Sequence, residues 1–333
     1  MTISSRFTRT LAALLAVLIL ALSLAGCGSS APASSAGEEG EDKLQIVCTV
    51  FPLYDWARQL TQGSDNVEVS LLLKGGTDLH SYQPTAQDIL TVASADLFFY
   101  VGGESDFWVA DVMEQAPDKE RIALNAMEHL SDRLMHEAPP RGAEDGHDHE
   151  HEDGVPYDEH IWLSLENARI VCAALSEALA QLDAGNAQLY ADNAAAYDEA
   201  LAAMDAEFRT TLETAPRHTL LVGDRFPFSY LAADYGLDCY AAFAGCSAES
   251  EASFETVAFL ADKLETEHLP AVLVLENSDG KLADTIIQNT STKDQQVLTL
   301  NSMQSVSGSQ GEEGADYLEL MQQNLDTLLT ALS

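Results

Sequence analysis

The chain has 333 residues, with 54 acidic side chains against 16 basic ones and a formal net charge of −38. So few cations exclude nucleic acid as a partner, because phosphate contacts need Lys and Arg, whereas the negative field favours solubility and mildly attracts cations. The length suffices for two domains, and five cysteines with no C-x-x-C spacing argue against a thiolate zinc site.

Residues 1–26 carry Arg6 and Arg9 followed by an unbroken apolar run and small residues, the layout of a secretory signal. The junction "LAGC" matches the lipobox of bacterial lipoproteins, which predicts lipid on Cys27 and attachment to a membrane outside the cytoplasm. Residues 27–43, containing "SSAPASSAGEEGED", read as a flexible tether. Cys48 and Cys172 sit in apolar runs and read as buried thiols; Cys239 and Cys246 are the nearest pair in sequence, and nothing in their spacing requires a bridge.

From residue 44 short β-branched or aromatic runs alternate with helical stretches. "LQIVCTVFP" predicts a strand, "LYDWARQLTQ" a helix, "VEVSLLL" a strand, and "PTAQDILTVASA" a helix with Pro84 in its first turn. "ADLFFYVGG" and "RIALNA" predict two more strands around a helical stretch near Phe107 to Met113. This alternation implies a parallel sheet with helices on both faces. Within this first lobe, residues 44–185, lies "EDGHDHEHEDG", three histidines at alternate positions among carboxylates. Its glycines and the preceding "APPRG" predict a loop, residues 144–153, of cation-binding side chains without a scaffold.

A helix is predicted from Leu165, and a second of about 28 residues lies within 186–215, with no internal Gly or Pro. In the latter, Tyr190, Tyr197, Leu201, Met204, Phe208 and Leu212 keep a 3–4 spacing, so one stripe faces protein, and Pro216 ends it. Over 216–333 the alternation restarts. "HTLLVGD", "DCYAAFAG", "AVLVLENS" and "QQVLTLNS" predict strands, with helices near 228–235, 253–267 and 280–290 and a last one through "DYLELMQQNLDTLLTAL". The reading is α/β: two similar lobes, each a mainly parallel sheet flanked by helices, joined by one long rigid helix.

In open α/β sheets ligands bind beyond the carboxyl ends of the strands. His80 follows the second strand and His160 enters a helix from the returning loop, whereas His218 and His268 precede their strands and His129 and His136 lie in polar connections. Those last four read as structural or solvated. In the second lobe the strand ends offer Asp224 and Arg225, Glu276 and Asp279, and Asn301. Two imidazoles with one or two carboxylates suit zinc, or a harder divalent ion where oxygen dominates.

The ordered set "VFPLYDWA", "HSYQPTAQDI", "DEHIWLSLENA", "YLAADYGL" and "GCSAESEAS" resembles the zinc/manganese-binding receptors of bacterial ABC transporters over nearly the whole mature chain. The resemblance implies one metal clamped between the lobes, in an interlobe cleft, with His80 and His160 as its first-lobe ligands. The second lobe departs from the family's pattern. Arg225 stands where many relatives have a histidine and cannot ligate metal, and Asn301 aligns with a common aspartate. Asp224 and Glu276 are the remaining candidates for the missing charge, although adjacent strand residues such as Asp224 and Arg225 point to opposite faces. Glu249 and Glu251 precede a helix and suit its N-terminus, while Trp162 reads as packing.

The expected function is an extracytoplasmic, lipid-anchored receptor, a monomer without catalysis, that delivers zinc (manganese second) to an ABC permease and its ATPase. His147, His149 and His151 are expected to form an auxiliary, weaker site, with a soluble spacer as the alternative. A secreted zinc hydrolase and an adhesin-like surface lipoprotein with a structural metal are the rival functions; the absence of H-E-x-x-H argues against the first.

Overall fold

The computed structural model describes residues 43–73, 79–115, 121–137, 156–245 and 252–333. The signal, Cys27 and the tether, the loop histidines His147, His149 and His151, and Cys246, Glu249 and Glu251 all lie outside the described residues. No helix among the described residues is long and apolar enough to cross a membrane.

The first lobe runs β1 (Leu44–Cys48), α1 (Phe51–Leu60), β2 (Val67–Leu71), α2 (Ala86–Ser94), β3 (Leu97–Tyr100), α3 (Trp108–Gln115) and β4 (Ile122–Asn125). Two helices follow, α4 (Leu165–Leu182) and the long α5 (Ala187–Glu213). The second lobe runs β5 (Thr219–Phe226), α6 (Ser229–Tyr235), β6 (Asp238–Ala244), α7 (Phe254–Thr266), β7 (Ala271–Val274), α8 (Lys281–Gln288), β8 (Gln296–Thr299), α9 (Gly308–Glu312) and α10 (Tyr317–Ala331). The sheets are parallel throughout, in the orders β2-β1-β3-β4 and β6-β5-β7-β8. Both orders reverse direction between their first and third strands, so each lobe has a crevice at the carboxyl end of that junction. β7 is buried along its whole length, as a continuous apolar strand covered on both faces should be.

Helix α2 starts two residues later than Pro84 suggests. Thr85 takes the cap position: its hydroxyl accepts from the Asp88 backbone N–H, and the Asp88 carboxylate accepts from the Thr85 N–H. In α5 the expected stripe buries Tyr190, Tyr197, Leu201, Phe208 and Leu212, with Met204 half-buried.

Strand β5 breaks the simple alternation expected of it. Between Val222 and Arg225 it takes three steps where its partner β6 takes two, from Ala241 to Phe243. This bulge lets Asp224 and Arg225 line one cavity instead of facing opposite sides. Gly223 sits at the bulge because a Cβ there would come within 2.9 Å of Val272 Cγ1 and 3.1 Å of Ala283 Cα.

The lobes share one apolar core that includes Trp56, Trp162, Tyr190, Phe208 and Tyr317. Polar contacts reinforce it across the seam. Trp162 Nε1 donates to Ser302 O at 2.8 Å, Tyr317 Oη to Trp162 O at 2.6 Å, and the Tyr317 N–H to Asp55 Oδ2 at 3.1 Å. Packing of this kind limits lobe motion, since close-packed interiors transmit strain and do not deform smoothly.

Candidate metal centre

The loop that returns from the first sheet toward α4 holds His160. Its backbone is pinned on both sides: Asp158 N–H donates to Met135 O at 2.8 Å, and Tyr230 Oη from the second lobe donates to Asp158 O at 2.9 Å. His160 is fully buried, and its Nδ1 lies 2.7 Å from Asp158 Oδ1. A carboxylate accepts, so Nδ1 carries the hydrogen and Nε2 presents a lone pair. Burial alone would push His160 down, but attraction and hydrogen bonding to Asp158, helped by Glu159 and Glu137, hold it above the ordinary imidazole range. Burial likewise works to raise Asp158, and the His160 charge outweighs it to leave that carboxyl low.

His80 comes from the turn Leu79–Ser81 beyond β2. Its Nδ1 lies 2.9 Å from Ser105 Oγ and 3.7 Å from Glu159 Oε2. Glu159 is itself placed by Gly103, whose φ of 83° and missing Cβ leave room for it, and by the Ser105 N–H, which donates to Glu159 Oε1 at 2.7 Å. Burial pushes the Glu159 carboxyl up. Nδ1 of His80 likewise has an oxygen partner, the Ser105 hydroxyl, and its Nε2 faces His160.

The two Nε2 atoms stand 3.2 Å apart. Two nitrogens on one tetrahedral zinc, each at about 2.0–2.1 Å, would lie about 3.3–3.4 Å apart. At 3.2 Å the two nitrogens share either a hydrogen, one ring donating to the other, or a metal ion, since two bare lone pairs would repel. The geometry therefore fits a divalent metal as cargo. On the first-lobe side a cavity of about 510 Å³ opens past His80 and is rimmed by Glu104, Glu137, Tyr157 and Glu159. Its carboxylates favour the approach of cations.

The second lobe meets this pair at Gly245, where a Cβ would lie 3.3 Å from His160 Cε1 and 2.8 Å from Phe226 O. Asp224 and Glu276 gather with Arg225, Ser302 and Gln304 around another cavity of about 230 Å³. The Glu276 carboxylate accepts from Ser302 N and Oγ and from Ser305 Oγ, at 2.8, 2.9 and 3.0 Å. Asn301 Oδ1 accepts from Met303 N at 2.8 Å. The structure thus brings His80 and His160 together and places Asp224 and Glu276 on a separate second-lobe cavity, with Asn301 in the neighbouring turn and no described bond from these three to either imidazole. Among the described residues no three His, Cys, Asp or Glu side chains converge to hold a metal. Asp279 is exposed and pairs with Lys281.

Trp162 is buried and packs edge-on to His160 at 5.4 Å, as its packing role predicts. His129, His136, His218 and His268 are exposed. Cys48, Cys172 and Cys239 are free thiols. Two residues escaped the sequence reading. Asp158 and Glu159 stand inside a quoted segment, and carboxylates one and two positions before a histidine were the available signal.

The ZnuA family model, described as zinc-uptake complex component A, periplasmic, matches residues 46–331. The chain belongs to this family. It is 29% identical over 319 residues to the high-affinity zinc uptake system protein ZnuA of Bacillus subtilis (strain 168), covering 93% of this chain and 94% of that one. It is 29% identical over 305 residues to the zinc-binding lipoprotein AdcA of Streptococcus pneumoniae serotype 4, covering 91% of this chain but 58% of that longer protein. The crystal structure of the metal-dependent lipoprotein YcdH from Bacillus subtilis aligns with a TM-score of 0.71 at 26% identity, over 87% of this chain and 99% of that one. The two-lobe α/β fold of ZnuA-family receptors is therefore the fold here. Members of the family are solute-binding receptors for metal uptake and not enzymes, which removes the hydrolase reading.

Asp158 fixes the His160 tautomer, so Asp158→Asn should weaken zinc binding about 10–100-fold, the usual effect of losing a carboxylate behind a ligating histidine. Competition titration against a zinc chelator measures it, and an affinity within twofold of wild type would contradict that role.

Proposed function

We propose that the chain is an extracytoplasmic receptor, lipid-anchored through Cys27, that captures zinc between its lobes and delivers it as a monomer to an ABC permease powered by its ATPase. His80 and His160 supply the first-lobe nitrogens, and the wall carrying Asp224, Glu276 and Asn301 supplies oxygen from the second lobe. The observation that carries this reading is the 3.2 Å approach of two inward Nε2 atoms, each ring turned by an oxygen partner on its Nδ1. Zinc-uptake relatives and the fit of imidazole donors favour zinc over manganese. His147, His149 and His151, which alternate with carboxylates in the sequence, act as a weaker collecting site.

Protons compete with the cargo for His160 Nε2. Because His160 sits above the ordinary imidazole range, zinc affinity should begin to fall at a pH above about 6.5 and keep falling as the solution is acidified. The metal-free fold responds in the opposite sense. A raised imidazole contributes stability in full below the unfolded value of about 6.5 and loses it as pH rises through the folded value. Competitive titration with zinc and with manganese from pH 5 to 8 tests the reading. A zinc affinity that is flat across that range, or a preference for manganese, would overturn it.

A further inference from the structure

The first lobe supplies His160, but the second lobe holds the segment that carries it. Tyr230 and Asp234 stand at i and i+4 of helix α6, on one face, and reach the chain on either side of that histidine. Tyr230 Oη donates to Asp158 O at 2.9 Å, and Asp234 Oδ2 accepts from Ser164 Oγ. The same two side chains tie down an earlier stretch of the first lobe. The Met135 N–H donates to Tyr230 Oη at 3.1 Å, and Arg133 Nη2 lies 3.4 Å from Asp234 Oδ1.

Chemistry fixes both roles of the Tyr230 hydroxyl. An amide N–H can only donate and a carbonyl can only accept, so the oxygen takes the Met135 hydrogen and gives its own to Asp158. Tyr230 is buried, and that burial pushes its phenol up, so the hydroxyl keeps its hydrogen at neutral pH. It thereby clamps a short ribbon whose two sides already pair. Asp158 N–H donates to Met135 O, Glu137 N–H donates to Pro156 O, and the rings of His136 and Tyr157 stack 4.4 Å apart. The ribbon ends at Asp158, whose Oδ1 takes the His160 backbone N–H at 2.9 Å as well as the ring Nδ1 at 2.7 Å. A shift of Asp158 is therefore a shift of the His160 ring.

We infer that Tyr230 is a positioning residue for metal capture: from the second lobe its hydroxyl fixes Asp158, and through Asp158 it sets the tautomer and aim of the first-lobe His160 ring. The inference rests on the receptor reading above and extends it to the coupling between lobes. With α6 seated, Asp158 keeps the ring hydrogen on Nδ1 and the Nε2 lone pair toward the cargo. A hydrogen bond of 2.9 Å is lost once it stretches past about 3.5 Å, so a displacement of α6 by less than about 1 Å releases Asp158, a motion small enough for two lobes that share a core. The ring hydrogen can then move to Nε2, where it blocks the metal. Movement of the second lobe thus weakens a donor that the second lobe does not itself supply.

The test compares the full chain with Tyr230→Phe and with Tyr235→Phe, a control on the same helix whose hydroxyl donates to Asp205 Oδ1 of α5 at 3.0 Å. Each protein is measured by competitive zinc titration, by the rate at which a chelator strips bound zinc, and by thermal melting without metal. Nitrogen NMR of the metal-free protein in alkaline solution reads which His160 ring nitrogen carries the hydrogen. Tyr230→Phe should weaken zinc binding about tenfold, the low end for losing a group behind a ligating histidine, mainly through faster release. The His160 hydrogen, held on Nδ1 in the wild type, should spread over both ring nitrogens, a change that a merely structural hydroxyl would not produce. Tyr235→Phe should keep zinc affinity within about twofold of wild type and the ring signals unchanged, even where its melting temperature falls. Unchanged affinity and ring signals in Tyr230→Phe, or equal changes in both variants, would overturn this inference and leave the receptor reading standing. Failure of the wild-type protein to bind zinc would overturn both.

Discussion

His160→Ala should weaken zinc binding by about a thousandfold, or ~4 kcal/mol at 1.4 kcal/mol per decade. The loss exceeds that of Asp158→Asn because it removes a donor atom and not the group that orients it. Of the pair, His160 is the fully buried member, while the His80 side chain is 13% exposed. His80→Ala should therefore give a comparable affinity loss with less effect on folding, which separates loss of a ligand from loss of structure. Weak binding by the His-rich segment should survive in both variants. Chelator competition at pH 7.5 reads the tight site alone, and retention of wild-type affinity in either variant would remove that imidazole from the centre.

The second large effect concerns stability. Trp162→Ala should destabilise the metal-free protein by about 3–5 kcal/mol, the range for deleting a fully buried aromatic side chain. Trp162 has no exposed surface, belongs to the core common to both lobes, and closes the seam through its bond to Ser302 O. Its removal leaves a cavity and a carbonyl without its donor at the point where the lobes meet. Zinc affinity should fall as well, because His160 loses the ring it packs against. Denaturant titration of the metal-free variant measures the first effect; a change below about 1 kcal/mol would mean the lobes are held together elsewhere.

The strands and helices were legible because each carries a local signal, such as a β-branched or aromatic run or the apolar stripe of α5, whereas the Thr85 cap that sets the start of α2 was not read. His80 and His160, eighty positions apart, could be singled out because parallel sheets place their functional ends together. The second lobe was less legible for a physical reason. A single extra residue in β5 reverses which way Arg225 points relative to Asp224, and nothing in "LLVGDRF" marks a bulge apart from its glycine. The turn around Gln304 depends on hydrogen bonds between residues distant in sequence, from Glu276 to Ser302 and from Asn301 to Asn324, which no local pattern encodes. Charge drew attention to the carboxylates, whereas three-dimensional pairing shows them bonded to neighbouring N–H and O–H groups.

Anomalous diffraction at the zinc edge, on crystals loaded with one equivalent of metal, tests the shared-cation centre most directly. The account predicts a single strong peak about 2.0–2.1 Å from both His80 Nε2 and His160 Nε2. A peak bonded to only one of those rings, or seated on the segment of His147, His149 and His151 with the pair left bare, would contradict it.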